Sequence, residues 1–174
     1  SQSFVGAAPC GGPSDGSDEK GEAEVVFEIG KNGESGKVDG SFTEARFKKP
    51  QGIRYHDGAL YVADTENHLL RKVDFKSNTV STLAGTGRQG YERVVDRAPA
   101  LKTPLSSPWD LEFYPDPQRL AIAMAGTHQL WSYDLQSRTL SVLAGNGRES
   151  IDDGPYPSNS LSQPSGLSAF QGKL

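Results

Sequence analysis

Leu60-Tyr-Val-Ala-Asp-Thr-Glu-Asn-His-Leu-Leu-Arg-Lys-Val-Asp74 decides the fold. It contains two strand-like runs, Leu60 to Ala63 and Leu69 to Asp74, separated by the polar turn Asp64 to His68. Pro50-Gln-Gly-Ile53 lies upstream and Val80-Ser-Thr-Leu-Ala-Gly-Thr-Gly87 downstream. The block returns about 60 residues later, because a supersecondary unit that cannot bury its apolar face alone repeats at a fixed period. Val62-Ala63 to His68 aligns with Ile122-Ala123 to His128, and Leu83-Ala-Gly-Thr-Gly87 with Leu143-Ala-Gly-Asn-Gly147. Pro50-Gln-Gly-Ile53, Pro108-Trp-Asp-Leu111 and Pro164-Ser-Gly-Leu167 form a third series, and Asp39-Gly40 before Pro50 matches Asp153-Gly154 before Pro164.

Each period holds four strand candidates. The first set is Gly52–Tyr55, Ala59–Ala63, Leu69–Phe75 and Thr79–Ala84; the second is Trp109–Phe113, Arg119–Met124, Gln129–Asp134 and Thr139–Ala144. Asp57-Gly58 suits a two-residue hairpin turn, since glycine tolerates positive φ, and Lys76-Ser-Asn78 and Gln136-Ser-Arg138 mark the next turns. No amphipathic helix of ten residues is visible. Four short antiparallel strands per repeat predict a β-propeller blade. The chain divides into a Gly/Pro/Ser-rich loop or insertion (1–23), the edge of a preceding blade and its connection (24–46), and a first blade (47–87). A connection (88–106), a second blade (107–147), and a connection with the start of the next blade (148–174) follow.

Composition narrows the functional classes. A hydrophobic share of 34% suffices for a packed β core, and 20 Gly with 11 Pro imply many turns. A net charge of -4 argues against a dedicated nucleic-acid binder. No apolar run is long enough to span a membrane as a helix, and Ser1-Gln-Ser-Phe-Val lacks the basic start and long apolar run of a signal peptide. Cys10 is the single cysteine, so the chain has no internal disulfide, CxxC pair or cysteine-rich zinc site.

The motif Pro-x-Gly-hydrophobe followed by Leu60-Tyr-Val-Ala-Asp-Thr-Glu-Asn-His68 resembles the NHL repeat. Asp39-Gly-Ser-Phe-Thr-Glu-Ala-Arg-Phe47, Ser107-Pro-Trp-Asp110, Ile122-Ala-Met-Ala-Gly-Thr-His-Gln129 and Gln163-Pro-Ser-Gly166 narrow the resemblance further. They resemble the group that joins a thioredoxin-like domain to an NHL propeller. The resemblance implies an all-β, NHL-type propeller fragment with four-stranded antiparallel blades, two complete and two partial, from a larger polypeptide. It also implies a non-catalytic scaffold whose partner is another protein, an adjacent domain of the same polypeptide or the remaining blades. Plant and algal members imply the thylakoid lumen of the chloroplast and restraint of photoprotective quenching; animal-like members imply the cytosol. The family's redox and phosphatase-like motifs lie outside this sequence, and no cofactor or metal is expected.

Several residues could carry chemistry. Asp64, Asn67 and His68 could form a polar site, but Asp and Asn also cap tight turns. His128 recurs at the place of His68, whereas Met124-Ala-Gly-Thr127 replaces Asp64-Thr-Glu-Asn67, so a structural motif with Gly52, Gly85 and Gly145 is the reading adopted. Gly85-Thr-Gly-Arg-Gln-Gly90 matches a dinucleotide fingerprint but is followed by Pro99 and Pro104 rather than a helix. His56 is read as solvated and Trp131 as core. Trp109 and Asp110 stand where other repeats have Gln51-Gly52 and Ser165-Gly166, which makes them the leading surface candidates. Arg88, Arg93 and Arg97 form the candidate basic face. Two alternatives remain open: a single-stranded RNA binder, and a lyase- or lactonase-like propeller with a channel metal.

Overall fold

A computed structural model describes residues 4–7 and 25–174, with side chains from residue 28 onward. Phe4–Ala7 (β1) and Val25–Ile29 (β2) pair antiparallel. β1 is thus a strand where the sequence suggested a loop; the rest of that segment, Cys10 included, lies outside the described residues. The next strands are Gly40–Ser41 (β3), Gly52–His56 (β4), Ala59–Asp64 (β5), Leu69–Asp74 (β6) and Thr79–Ala84 (β7). They form one sheet in the order β3-β7-β6-β5-β4. Ala98–Pro99 (β8), Pro108–Phe113 (β9), Arg119–Met124 (β10), Gln129–Asp134 (β11) and Thr139–Ala144 (β12) form the second, ordered β8-β12-β11-β10-β9.

Each sheet is therefore a four-stranded meander with a fifth, two-residue strand on its outer edge. That fifth strand comes from the connection before the blade: Gly40 pairs with Val80 as Ala98 pairs with Leu140. Its brevity explains why four strands, not five, are legible in the sequence. The hairpin between β4 and β5 turns through Asp57 (φ 45) and Gly58 (φ 71), the doubly positive geometry of a two-residue turn. The turns after β6 and β11 repeat as well. Asp74 Oδ1 accepts from the N–H groups of Lys76 and Ser77 at 3.0 and 3.1 Å, and Asp134 Oδ1 from those of Gln136 and Ser137 at 3.0 and 2.7 Å.

Side chains alternate across each strand, and the two faces of the first blade enter different cores. Val62, Val73 and Val80 pack with Ile29, Ala45 and Phe47 of the preceding segment. Tyr61, Ala63 and Leu70 pack with Leu111, Leu120, Ile122 and Trp131 of the second blade. Strands β4 and β9 lie side by side as the innermost pair of the two blades. At this junction a Cβ on Gly52 would lie 2.6 Å from both Asp110 Cα and Trp109 O, so only glycine fits. Residues 148–174 contribute two isolated bridges and no extended strand.

Candidate docking site at the inner-strand rim

Three sets of contacts bring the singled-out residues into definite places. The first is a buried polar knot in blade 1. Asp64 is fully buried; its Oδ1 accepts from the Lys48 N–H at 2.8 Å and its Oδ2 from Asn67 Nδ2 and Arg71 Nη1 at 2.8 and 2.9 Å. Arg71, also fully buried, donates to Arg46 O and Val38 O, pairs with Asp39 at 2.8 Å, and lies 5.0 Å from the centre of the Phe47 ring. Asn67 Nδ2 also donates to Gly36 O at 2.6 Å. Burial pushes the Asp64 carboxyl up, while Asn67, the Lys48 N–H and Arg71 pull it back. The knot ties the connection 36–48 onto the blade. Blade 2 does the same with other chemistry: Met124 and Trp131 replace Asp64 and Arg71. Gln129 Nε2 donates to Arg93 O and Gly145 O, and Trp131 Nε1 donates to Gln129 Oε1.

The second set joins successive blades. His68 and His128 both adopt left-handed backbone, at φ 54 and 55. His68 Nδ1 accepts from the Ser107 N–H at 3.0 Å, and His128 Nδ1 from the Gln163 N–H at 3.2 Å. Lys49, Ser107 and Gln163, each directly before the opening proline of its repeat, share φ values of 46, 48 and 42. Gly85 and Gly145 (φ 97 and 88) close each blade against this corner: a Cβ would lie 2.3 Å from His68 O and 2.6 Å from His128 O. Burial, then the Lys48 cation, hold the His68 imidazole below the usual histidine range, against an opposing pull from Glu66. A neutral imidazole is the form that can accept at Nδ1.

The third set places Asp110 in a hub between inner strands. Its Oδ2 accepts from the Leu167 N–H at 2.8 Å and its Oδ1 from the Leu111 N–H. Arg54 of β4 lies 3.4 Å from Asp110 and 3.2 Å from Glu112, and donates to Leu167 O at 3.0 Å. Asp110 thus holds chain segments together rather than facing outward freely. Trp109, beside it, is 40% exposed. Its indole walls a pocket of ≈ 340 Å³ shared with Ser107, Ala125, Gly126, Gln163 and Ser165.

The basic candidates do not converge. Arg93 lies under Gly147, with its methylenes against that backbone, and offers its carbonyl to Gln129. Arg97 lines a separate recess with Asp96, Arg119 and Asp134, and Arg88 is exposed. The recess carries both signs of charge and is no basic stripe. His56 is half-buried and packs on Phe113 with ring centres 4.5 Å apart, which corrects its reading as solvated. Trp131 is 1% exposed, in the core. The stretch Gly85 to Gly90 opens no helix. Among the described residues no group of three or more His, Cys, Asp or Glu is arranged to hold a metal, and no helix is long and apolar enough to cross a membrane. Sequence reasoning missed Arg54, Arg71 and Gln129. Arg71 stands beside Lys72 and Asp74 in its strand and reads as solvent-facing, so no local signal marks it as buried.

The two meanders, their shared core and the corner hydrogen bonds define propeller blades. An NHL repeat matches residues 47–73, and a solved Bacteroides thetaiotaomicron auxiliary nutrient binding protein shares the fold, with a TM-score of 0.56 at 15% identity over 83% of this chain and 34% of that one. The chain is an NHL-repeat β-propeller segment. It is 45% identical to Protein SUPPRESSOR OF QUENCHING 1, chloroplastic, of Arabidopsis thaliana over 82% of its length, and 40% identical to NHL repeat-containing protein 2 of Homo sapiens and of Bos taurus over 83%. It spans 14% of the plant relative and 22% of each mammalian one.

Proposed function

We propose that these blades are a non-catalytic scaffold that docks another protein, or a neighbouring thioredoxin-like domain of the same polypeptide, at the inner-strand rim around Trp109. The single observation carrying this reading is the exposed indole. A large aromatic ring stands at the mouth of β9 where the neighbouring repeats carry Gln51 and Ser165, and it is held on a rigid strand. Binding function in such folds sits in what a rigid framework presents, and exposed tryptophans are common energetic anchors. For a chloroplast member of the family, the same docking would act in restraining photoprotective quenching, the role that the name of the Arabidopsis relative carries.

RNA binding is the weaker reading, since no Lys or Arg lines the pocket beside the indole and phosphate contact is what sustains such binding. The docking reading is tested by placing a photoreactive benzoyl-phenylalanine at position 109 of the full polypeptide, with position 77 on the outer turn as reference. A discrete adduct to one protein, or to the polypeptide's own redox domain, is expected from 109 alone. Matching adduct patterns from both positions would remove the proposal.

A further inference from the structure

The rim pocket exists because blade 2 departs from blade 1. Aligned by repeat, Thr65, Glu66 and Trp109 become Ala125, Gly126 and Ser165 one blade on. In blade 1, Thr65 Oγ1 donates to Pro108 O at 2.7 Å, and Glu66 pairs with Lys48 and Lys49 at 3.4 and 2.5 Å. None of these side chains has a counterpart in blade 2. Gly126 has a structural reason as well: a Cβ there would lie 2.2 Å from Ser106 Oγ. The result is an open space of ≈ 340 Å³ beside the Trp109 ring.

The hydrogen-bonding side chains of this space are all uncharged. Four backbone donors of the lining are already engaged: Ser107 N–H to His68, Ala125 N–H to Ser107 O, Gly126 N–H to Ser106 O, and Gln163 N–H to His128. The Gln163 side-chain amide and the Ser107 and Ser165 hydroxyls make no hydrogen bond among the described residues, and no ionisable side chain lines the wall. These groups can donate to carbonyl oxygens, as well as accept, next to a neutral aromatic surface. A phosphate, carboxylate or ammonium would find no counter-charge in this wall.

We infer that the pocket takes a proline from an extended segment of a protein partner. The uncharged pyrrolidine ring lies flat against the indole, and the segment brings carbonyl acceptors without an N–H at the proline. An extended polyproline-type backbone keeps those carbonyls outward and enters binding already ordered. The volume sits at the low end of the ligand-pocket range of about 300–1,000 Å³, which suits one residue and its flanking peptide groups. This deepens the docking role proposed above and rests on it.

The test is an anisotropy titration of fluorescein-labelled decaproline with the full polypeptide, alongside a Gly-Ser decamer and an oligouridine. Two variants change the pocket by repeat logic: Trp109→Gln installs the blade 1 residue, and Ser165→Trp fills the space from the other wall, on an exposed segment. An unchanged thermal transition verifies that each variant is folded. Saturable binding of decaproline alone is expected, weakened about tenfold or more by either change. No saturable binding, equal binding of the Gly-Ser peptide, competition by oligouridine, or unchanged affinity in both variants would overturn the inference. The photocrosslink from position 109 separates the two levels. Adduct formation without decaproline binding leaves the docking face standing and removes the proline pocket; absence of both removes the pair.

Discussion

Removing the Asp64 carboxylate takes the buried counter-charge from the fully buried Arg71 guanidinium. The guanidinium then keeps the more exposed Asp39 and the carbonyls of Arg46 and Val38, while its Nε makes no hydrogen bond among the described residues. Breaking one side of such a pair is far more costly than never having built it, of the order of 3–5 kcal/mol. Asp64→Ala should therefore lower unfolding free energy in urea by up to about 3–5 kcal/mol, with the remaining Asp39 pair reducing the loss. Asp64→Asn, which keeps an oxygen for the Lys48 N–H, should lose less. An Asp64→Ala variant within about 1 kcal/mol of the parent would show that the knot contributes little. Only half of this cluster was readable from sequence. The turn chemistry of Asp and Asn identifies 64 and 67, but their partner sits seven residues on, in a strand where an arginine reads as solvent-facing. Blade 2 hides the equivalence further, because Met124 and Trp131 fill the same layer with apolar atoms and shift the polar work to Gln129.

Strands and turns were the more legible level, because period-two burial and Asp-Gly turns are local signals. The Asp57-Gly58 turn needs two positive φ values, and those residues announce it. Arg138, at φ 55, repeats the left-handed turn position of Asn78 at φ 54. No propensity would place an arginine there, so only the repeat alignment exposes it. The two-residue strands β3 and β8 carry no pattern at all. Between elements, the bond from Ser107 to His68 makes blade packing depend on a neutral imidazole, which gives a pH dependence with a definite sign. The folded protein holds the His68 value below the ordinary 6.5, so the unfolded chain binds the proton first. The contribution is complete above about pH 6.5, declines as pH falls towards the folded value, and changes no further below it. His68→Asn keeps an acceptor and tolerates left-handed backbone. It should shrink the loss of stability between about pH 7.5 and about pH 5 in denaturant titrations, at a neutral-pH cost of roughly 0.5–1.5 kcal/mol. An unchanged pH slope would assign that loss to other groups.

At the scale of the molecule, what matters is whether the blades unfold singly or together. Repeat proteins are held by intrinsic repeat stabilities and nearest-neighbour interfaces, and the larger the interface, the longer the cooperative unit. Here the main core crosses the interface: Tyr61, Ala63, Leu70 and Ala84 of blade 1 share it with Leu111, Leu120, Ile122 and Trp131 of blade 2, and Leu105 of the connection is fully buried among them. Arg54, Asp110 and Glu112 add a charged seam along the inner edge, and the His68 bond fixes the corner. Leu111 lies on the inner strand at this junction. Leu111→Ala removes methyl groups and leaves a cavity, which costs about 2–5 kcal/mol according to how far the site collapses. If the shared core makes one folding unit, hydrogen exchange should report that loss equally at the β5–β6 amides of blade 1 and the β10–β11 amides of blade 2. Protection lost in blade 2 alone would mean that the interface transmits little. The rim pocket would then rest on one blade's rigidity rather than on the pair.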